Sequence, residues 1–282
     1  MRLKKISQFI SLISKLPSKN YFYRGHSDKS YDLKPSMYRK ENFYVNEDKI
    51  YKETILNIPH EFYNCKSTIE VLVKMQHFGI PTRILDLTRN PLIALYFACI
   101  DNFDKDAEII ILDIPEKNIR FYDSDRITIL ANLAKQQVDF GFDIEKDFDY
   151  YDEDKVKEAN DRLGYLLHSI KEDKPHFYNI INPNDLDNVL AVQVKLDNPR
   201  IIRQQGAFLI FGIQKSYDGI NGKTNCSTVP KKWIVKHNKQ RIIIPKEFKE
   251  SLLIELSSLG INTMNLFPDL ENIAKNLKSK YQ

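Results

Sequence analysis

The segment that most constrains the fold spans residues 91–100, ten apolar residues preceded by Asn90. Asparagine at the N-cap followed by proline at the first helical position is a common start for an α-helix. Because this helix carries no polar face, it has to be buried on every side. It is also too short to cross a bilayer, which takes about 20 apolar residues. The sequence therefore predicts a globular protein with this helix in its core.

Length and composition fit one elaborated globular unit. The chain has 282 residues, of which 42% are hydrophobic and 28% charged, which is ordinary for a domain with a sizeable core. We interpret residues 1–282 as a single domain, divided into an N-terminal helix (1–20), a core region (21–115), a helical insertion (116–186) and late strands with C-terminal helices (187–282). The three cysteines are widely spaced and form no C-x-x-C pair, which predicts free thiols in a cytoplasmic protein.

Apolar periodicity and capping patterns predict an α+β fold. Predicted helices cover residues 6–16, 47–57, 91–100, 125–136, 154–171, 246–259 and 269–278, and Ser67-x-x-Glu70 predicts a capping box for a further helix that ends at Gly79. Predicted strands cover residues 21–25, 82–85, 107–114, 189–196, 207–211, 233–236 and 241–245. The acidic segment 143–161 is interpreted as a solvated loop leading into a helix.

Several kinds of site lack support in the sequence. Glycine is scarce, with nine copies, and neither G-x-x-x-x-G-K nor G-x-G-x-x-G occurs, so a bound nucleotide would have to be held in another way. The net charge of +4 is too small to indicate nucleic acid by itself. The histidines have no metal-ligand spacing and are interpreted as ordinary surface or core residues, so no metal is predicted.

The first candidate site residue is Arg24, which ends an apolar strand and precedes Gly25. At that place a guanidinium can leave the sheet edge and meet a ligand that approaches the bare glycine backbone. Its planar fork of donors suits a phosphate or a carboxylate. The alternative is an ion pair between Arg24 and an acidic neighbour such as Asp86.

The second candidate stretch, residues 76–91, brings many polar groups directly before the buried helix, and buried polar groups need partners. Two arrangements are open. His77, Arg83, Asp86 and Thr88 could satisfy one another structurally. Alternatively, Asp86 orients Arg24, while Thr88 and the helix N-terminus at Asn90 face an anion.

These stretches resemble the FRG-domain family, which takes its name from a (Phe/Tyr)-Arg-Gly strand. The resemblance is carried by Tyr23-Arg24-Gly25, Tyr31-x-Leu33-x-Pro35-Ser36, the stretch from Gln76 to Thr88, the stretch from Asn90 to Ala98, Arg203-Gln204-Gln205-Gly206-Ala207-Phe208 and the turn Leu266-Phe267-Pro268-Asp269-Leu270. It implies a role in bacterial conflict or phage defence.

The order of the motifs is also similar, more distantly, to that of ADP-ribosyltransferases. This resemblance implies a central split sheet, mixed or antiparallel, that binds NAD as substrate, with Arg24, Thr88 and Gln205 as the catalytic counterparts. The residues implied to hold NAD or a related nucleotide are Arg24, Gly25, His77, Thr82, Arg83, Asp86 and Asn90. In that family a late glutamate or glutamine positions the ribose. The neutral Gln205 of this chain cannot supply the negative charge that stabilises an oxocarbenium-like transition state. ADP-ribosyl transfer and NAD hydrolysis therefore stay open as activities.

Two other functions are compatible with the sequence. In a nucleic-acid-associated module, Arg24, Arg83 and Arg89 would meet phosphates while tyrosines stack on bases. In a non-catalytic sensor, the same surface would bind a protein partner. No membrane association is predicted.

Overall fold

The computed structural model describes residues 1–17, 19–142, 163–215, 221–236 and 241–269, together with 152–154, 157 and 274. Within these residues the fold is α+β, as predicted: helices pack on a mixed sheet. None of the described helices is long and apolar enough to cross a membrane. The predicted helix 269–278 and the acidic segment 143–161 lie almost wholly outside the described residues.

The described strands form two sheets. The strands are β1 Phe22–His26, β2 Ile84–Thr88, β3 Ala107–Leu112, β4 Ile119–Phe121, β5 Gly141–Phe142, β6 Val189–Gln193, β7 Gly206–Phe211, β8 Ile213–Lys215, β9 Asn221–Cys226, β10 Ile234–Val235 and β11 Ile242–Ile244. The main sheet has the order β10-β3-β1-β2-β7-β6-β4, and β11 also pairs with β3. β4 and β6 run parallel and the other paired strands antiparallel, which makes the main sheet mixed. The second sheet has the order β5-β9-β8.

The described helices are distributed along the whole chain. They are α1 Ile6–Ile13, α2 Glu41–Tyr44, α3 Glu47–Asn57, α4 Pro59–Phe62, α5 Thr68–His77, α6 Pro91–Cys99, α7 Asp125–Asn132, α8 Gly164–Asp173, α9 Pro183–Leu186, α10 Pro199–Arg203, α11 Lys249–Ser258 and α12 Thr263–Leu266. Single 3₁₀ turns occur at Ser36–Arg39, Glu116–Asn118, Leu133–Lys135, Lys231–Trp233 and Lys246–Phe248.

The main sheet is buried on both faces, and one face carries two separate helical cores. On β2, Ile84 belongs to a core formed with α3, α5, α7 and α8, whereas Leu85 and Leu87 belong to a core on the opposite face. Tyr23 belongs to the third core, formed with α1, α6 and α11. Because Tyr23 pairs with Thr88, which shares a face of β2 with Ile84, these two helical cores lie on the same face. Helices α5 and α6 therefore stand on either side of the β1–β2 junction.

Strands β1 and β2 separate at this junction. They are in register at one described pair, Tyr23 with Thr88, whereas β1 with β3 and β2 with β7 each have five paired positions. Beyond that pair the two strands diverge toward Arg24 and Asp86. This divergence opens a gap in the main sheet between the two helical cores.

Most predicted elements are confirmed within a few residues, including the helix starting at Ser67 and the buried helix after Asn90. The capping box at Ser67 and Glu70 is wrong in detail. Glu70 accepts from the backbone N–H of Lys66 at 2.7 Å, and the N–H of Thr68 donates to Asp173 on α8 at 2.8 Å. A carboxylate supplied from another helix thus replaces the local serine cap.

The sequence did not predict β4 or the small sheet. These strands are two to six residues long, and several pair with partners distant in the chain. The segment 116–186, interpreted as a helical insertion, contributes β4 to the main sheet and α7 and α8 to one of its cores.

The burial of α6 generates a stability prediction. Leu95 has 0% of its surface exposed, so Leu95→Ala is expected to leave a cavity and lower the free energy of unfolding by about 2–5 kcal/mol. The matched control is Leu56→Ala on α3, where the leucine is 77% exposed and a change within about 0.5 kcal/mol is expected. Urea denaturation of both variants provides the measurement, and equal effects would contradict the placement of α6.

Candidate functional site

The candidate site is a cavity of about 250 Å³ at the gap between β1 and β2. Its walls come from β1, β2, α5, α6, the 3₁₀ turn Ser36–Arg39, α10 and the start of β7. Arg24 of β1 and Asp86 of β2 lie at the gap. Residues far along the chain, such as Arg200 and Gln204, complete the wall. The site is therefore assembled by the tertiary fold from several motifs.

Arg24 bridges the two diverging strands. Its Nη1 donates to the backbone carbonyl of Asp86 at 2.5 Å, and its Nε donates to Nε2 of His26 at 3.0 Å. No acceptor for Nη2 is found among the described residues, so part of the donor fork is free to face the cavity. Burial lowers the pKa of Arg24 to about 10, with Asp86 opposing this shift, and the side chain is still protonated at neutral pH.

His26 is the residue that orients Arg24. The two side chains lie on the same face of β1 because they are two residues apart. His26 is 1% exposed, and burial together with the charges of Arg24 and Arg39 lowers its pKa to about 3. The ring is therefore neutral, with Nε2 as acceptor and the proton on Nδ1. From the sequence, His26 was interpreted as an ordinary surface or core residue. Its place two residues after Arg24, at the end of the same strand, indicates that the two side chains share a face.

Asp86 is held by a chain of neutral side chains. The hydroxyl of Thr82 donates to Oε1 of Gln76 at 2.6 Å, and Nε2 of Gln76 donates to Oδ2 of Asp86 at 2.7 Å. The orientation of the Gln76 amide is thereby defined at both ends. Arg24 contacts the carbonyl of Asp86 and leaves the carboxylate to Gln76, so the ion pair considered from the sequence is replaced by two separate contacts.

Two further arginines line the cavity, Arg39 and Arg200. Nη1 of Arg200 donates to the carbonyl of His77 at 3.0 Å, and burial lowers the pKa of Arg200, with Asp86 opposing the shift. Nε of Arg39 donates to the carbonyl of Lys34 at 3.1 Å. Three guanidinium groups thus face a wall that also contains Asp86 and Asp101, which leaves the lining net positive and suited to an anion.

Neither Arg39 nor Arg200 was predicted from the sequence to lie at the site. Arg200 follows Asn198-Pro199, the same cap and proline pattern that marked α6, and Asn198 accepts from the backbone N–H of Arg200. That pattern could have predicted α10. No local sequence pattern indicated Arg39. This residue reaches the cavity because the chain after β1 folds back toward the gap.

Arg83 and Thr82 were predicted to bind a cofactor, and neither lines the cavity. Arg83 is 0% exposed, and its Nε and Nη2 donate to the two carboxylate oxygens of Glu47 at 2.8 and 2.5 Å. Lys223 lies 3.1 Å from the same carboxylate. Arg83 is therefore a buried structural residue directly before β2 and outside the cavity wall, and Thr82 acts through Gln76.

Asn90 and Thr88 are both engaged in local structure. Oδ1 of Asn90 accepts from the N–H groups of Leu92 and Ile93, so the side chain caps α6 and occupies the helix N-terminus that was predicted to face an anion. Thr88 lines the cavity, but its hydroxyl donates to the carbonyl of Gln204 at 2.6 Å and accepts from the N–H of Asn90 at 3.0 Å. Thr88 ties β2 to the late motif.

Gln205 does not line the cavity, whereas its neighbours Gln204 and Gly206 do. Gln205 has a φ of 45°, in the left-handed region, and its carbonyl accepts from the N–H of Arg89 at 3.0 Å. This turn directs the side chain to the surface. The glutamine of the late motif that lines the cavity is therefore Gln204, not the predicted Gln205.

Gly25 lies in the wall of the cavity, but helix packing accounts for the absence of its side chain. A Cβ atom at this position would lie 2.0 Å from the carbonyl oxygen of Ala94 and 2.5 Å from the nitrogen of Ala98. Both atoms belong to the backbone of α6. The glycine lets β1 contact α6 directly. The approach of a ligand to its backbone stays a prediction.

The described residues contain no group of three or more histidine, cysteine, aspartate or glutamate side chains that could hold a metal ion.

Residues 19–107 match the family model of the FRG domain. No curated protein and no solved structure matches the chain. The matched segment includes Arg24, Gln76, His77 and Asp86, whereas Arg200 and Gln204 lie beyond it.

The contact at Gly25 predicts a large loss of stability for Gly25→Ala. A methyl group cannot fit against the α6 backbone without moving a buried helix, so a loss of about 3 kcal/mol or more is expected. Gly164→Ala is the matched control, because a Cβ there meets nothing within 4 Å and alanine favours the helix by up to about 1 kcal/mol. Thermal unfolding of both variants tests this, and a stable Gly25→Ala protein would disprove the packing explanation.

The buried Glu47 cluster predicts acid sensitivity. Burial alone would raise the pKa of Glu47, but Arg83 and Lys223 hold it below the ordinary 4.5. The stability that depends on the ionised carboxylate is complete above about pH 4.5 and is lost as the pH falls through the lower folded value. Glu47→Gln is expected to cost about 3–5 kcal/mol at pH 7, because it leaves buried cations without their partner.

The difference between Glu47→Gln and wild type should shrink as the pH falls below about 4.5, because the wild-type carboxyl then becomes protonated first in the unfolded chain and, at lower pH, in the folded protein. Asp113→Asn serves as control, since its ion pair with Lys19 is solvent-exposed and a change below about 1 kcal/mol is expected. Chemical denaturation between pH 3 and 7 gives the profile. A pH-independent difference would rule out the proposed charge state of Glu47.

Proposed function

We propose that this protein binds a phosphorylated nucleotide, with NAD as the first candidate, in the cavity where β1 and β2 separate. The observation that carries this proposal is the convergence of Arg24, Arg39 and Arg200 on that cavity. Arginine binds phosphate through parallel N–H donors. In Arg24, Nε and Nη1 donate to protein acceptors, while Nη2 has no acceptor among the described residues. A diphosphate offers enough acceptor oxygens for more than one of these side chains.

Asp86 favours a nucleotide over a simple anion. Its Oδ2 is bound to Gln76, and Oδ1 has no partner among the described residues. A carboxylate oxygen accepts hydrogen bonds, so it can bind a ribose hydroxyl, whereas it repels a fully ionised phosphate. A ligand with both phosphate and hydroxyl groups would match the arginines and Asp86 together.

The volume of the cavity limits how much of a ligand is enclosed. About 250 Å³ lies slightly below the range of roughly 300–1,000 Å³ for small-ligand sites. A whole dinucleotide would therefore not fit inside. We propose that the cavity holds the diphosphate and one ribose, while the rest of the ligand extends outside it.

Group transfer has less support than binding. The hydroxyl of Thr88 is engaged as both donor and acceptor, and Gln205 is directed away from the cavity. His26 is neutral and buried, with a pKa of about 3, so it cannot act as a general acid near neutral pH. We therefore propose ligand binding without assigning a transfer step.

The nucleic-acid alternative is not favoured by the positions of its arginines. Arg83 is buried against Glu47, and the guanidinium of Arg89 lies 3.9 Å from the centre of the Phe22 ring. Of the three arginines considered for that function, Arg24 alone lines the cavity. A continuous basic track is therefore not formed by these residues.

Arg24→Lys is expected to separate ligand binding from stability. Lysine keeps the charge but lacks the planar fork, so it cannot reach His26, Asp86 and a phosphate at once. We expect affinity for NAD to fall at least about tenfold, which corresponds to about 1.4 kcal/mol, with little change in melting temperature. Calorimetric titration with NAD, ADP-ribose and pyrophosphate gives the affinities.

Arg120→Lys on β4 is the matched control, because Arg120 does not line the cavity and should leave both quantities unchanged. An unstable Arg24→Lys protein with wild-type affinity would show that Arg24 is structural. Binding of a single-stranded oligonucleotide with steep salt dependence, in the absence of NAD binding, would favour the nucleic-acid function instead.

A further inference from the structure

We infer that Phe267 is a positioning residue for the anion site and acts through Arg200. Phe267 follows α12, far beyond the segment matched by the FRG model. This inference rests on the proposed function, because Arg200 is one of the three arginines assigned to the ligand. It assigns a role in the site to the C-terminal turn.

The contacts place Phe267 between two walls of the cavity. The guanidinium of Arg200 lies 4.7 Å from the centre of the Phe267 ring. The Phe267 ring also packs edge-to-face with Phe97 of α6, at a centroid distance of 6.1 Å and an interplanar angle of 84°. Arg200 and Phe97 both line the cavity. The ring therefore contacts both the arginine of α10 and an aromatic residue of α6 in the cavity wall.

Hydrogen bonds hold the turn itself in place. Nε2 of Gln204 donates to the carbonyl of Leu266 at 3.1 Å, and Nη1 of Arg203 donates to the carbonyl of Asn265 at 3.2 Å. The hydroxyl groups of Tyr96 and Thr263 are 2.8 Å apart. The turn is thus bonded to the end of α10 and to α6, the same two elements that Phe267 contacts through its ring.

The ring restricts Arg200 in a way that a single hydrogen bond cannot. Nη1 donates to the carbonyl of His77, which holds one end of the guanidinium but leaves rotation about that contact. An aromatic face attracts the guanidinium and shields one side from water. The carboxylates of Asp86 and Asp269 both act on the charge of Arg200, so without the ring the guanidinium could turn toward either of them. Ligand binding would then have to order the side chain.

An aromatic ring, and not merely apolar volume, is needed for this role. Phe267→Leu is expected to weaken NAD binding about fivefold, in the range of a partly desolvated cation–π contact. Phe267→Tyr keeps the aromatic face and should remain within about twofold of wild type. Tyr165→Leu is the control, because this aromatic residue is 87% exposed on α8.

A double-mutant cycle tests whether Phe267 acts through Arg200. If it does, the pair Phe267→Leu with Arg200→Gln should bind NAD no more weakly than Arg200→Gln alone. Losses that add would overturn the inference, as would an unchanged affinity of Phe267→Leu. Phe267→Met is the second variant if the leucine variant does not fold, with the same expected loss.

A ligand-free measurement separates this inference from the proposed function. The Nε–H proton of Arg200, identified by its absence in Arg200→Gln, should show a ring-current shift by NMR that is lost in Phe267→Leu and kept in Phe267→Tyr. Absence of that shift in the wild type would overturn the positioning role. If the shift is present but wild type binds neither NAD nor pyrophosphate, the contact stands and the proposed function fails.

Discussion

The direct contact between β1 and α6 at Gly25 is the interaction on which the rest of the structure depends. The Cβ position of Gly25 is occupied by the backbone of Ala94 and Ala98, so strand and helix meet at a distance that no other residue permits. Holding β1 against α6 leaves β2 to follow β7, with which it pairs along its whole length. The cavity lies where these two separately attached strands part.

Two arginines from different sequence motifs show how their surroundings decide their roles. Arg83 is buried with a carboxylate that binds two of its nitrogens, and such a pair is satisfied within the protein. Arg24 is bound by two neutral acceptors, a carbonyl and a histidine, which orient it without neutralising its charge. A charge that is oriented but not paired is available to a ligand.

Neutral groups position the charged groups throughout the site. His26 holds Arg24, Gln76 holds Asp86, and the carbonyl of His77 holds Arg200. Lys249 is fully buried, and its Nζ donates to the carbonyls of Ser27, Asp101 and Asn102. These hydrogen bonds join the loop after β1 to the segment that follows α6. Each of these charged groups is therefore oriented by contacts within the protein itself.

Sequence alone was enough to predict the α+β fold, the buried helix after Asn90 with its cap, and Arg24 and Asp86 as candidate site residues. Local patterns carry this information, because apolar periodicity and capping residues act over a few neighbouring positions. The sequence could not show that Arg83 pairs with Glu47, that Gln204 replaces Gln205 in the wall, or that Arg39 and Arg200 join the cavity. Those outcomes were decided by tertiary structure, because a left-handed turn at Gln205, the return of a distant loop and the divergence of β1 from β2 depend on how separate elements pack.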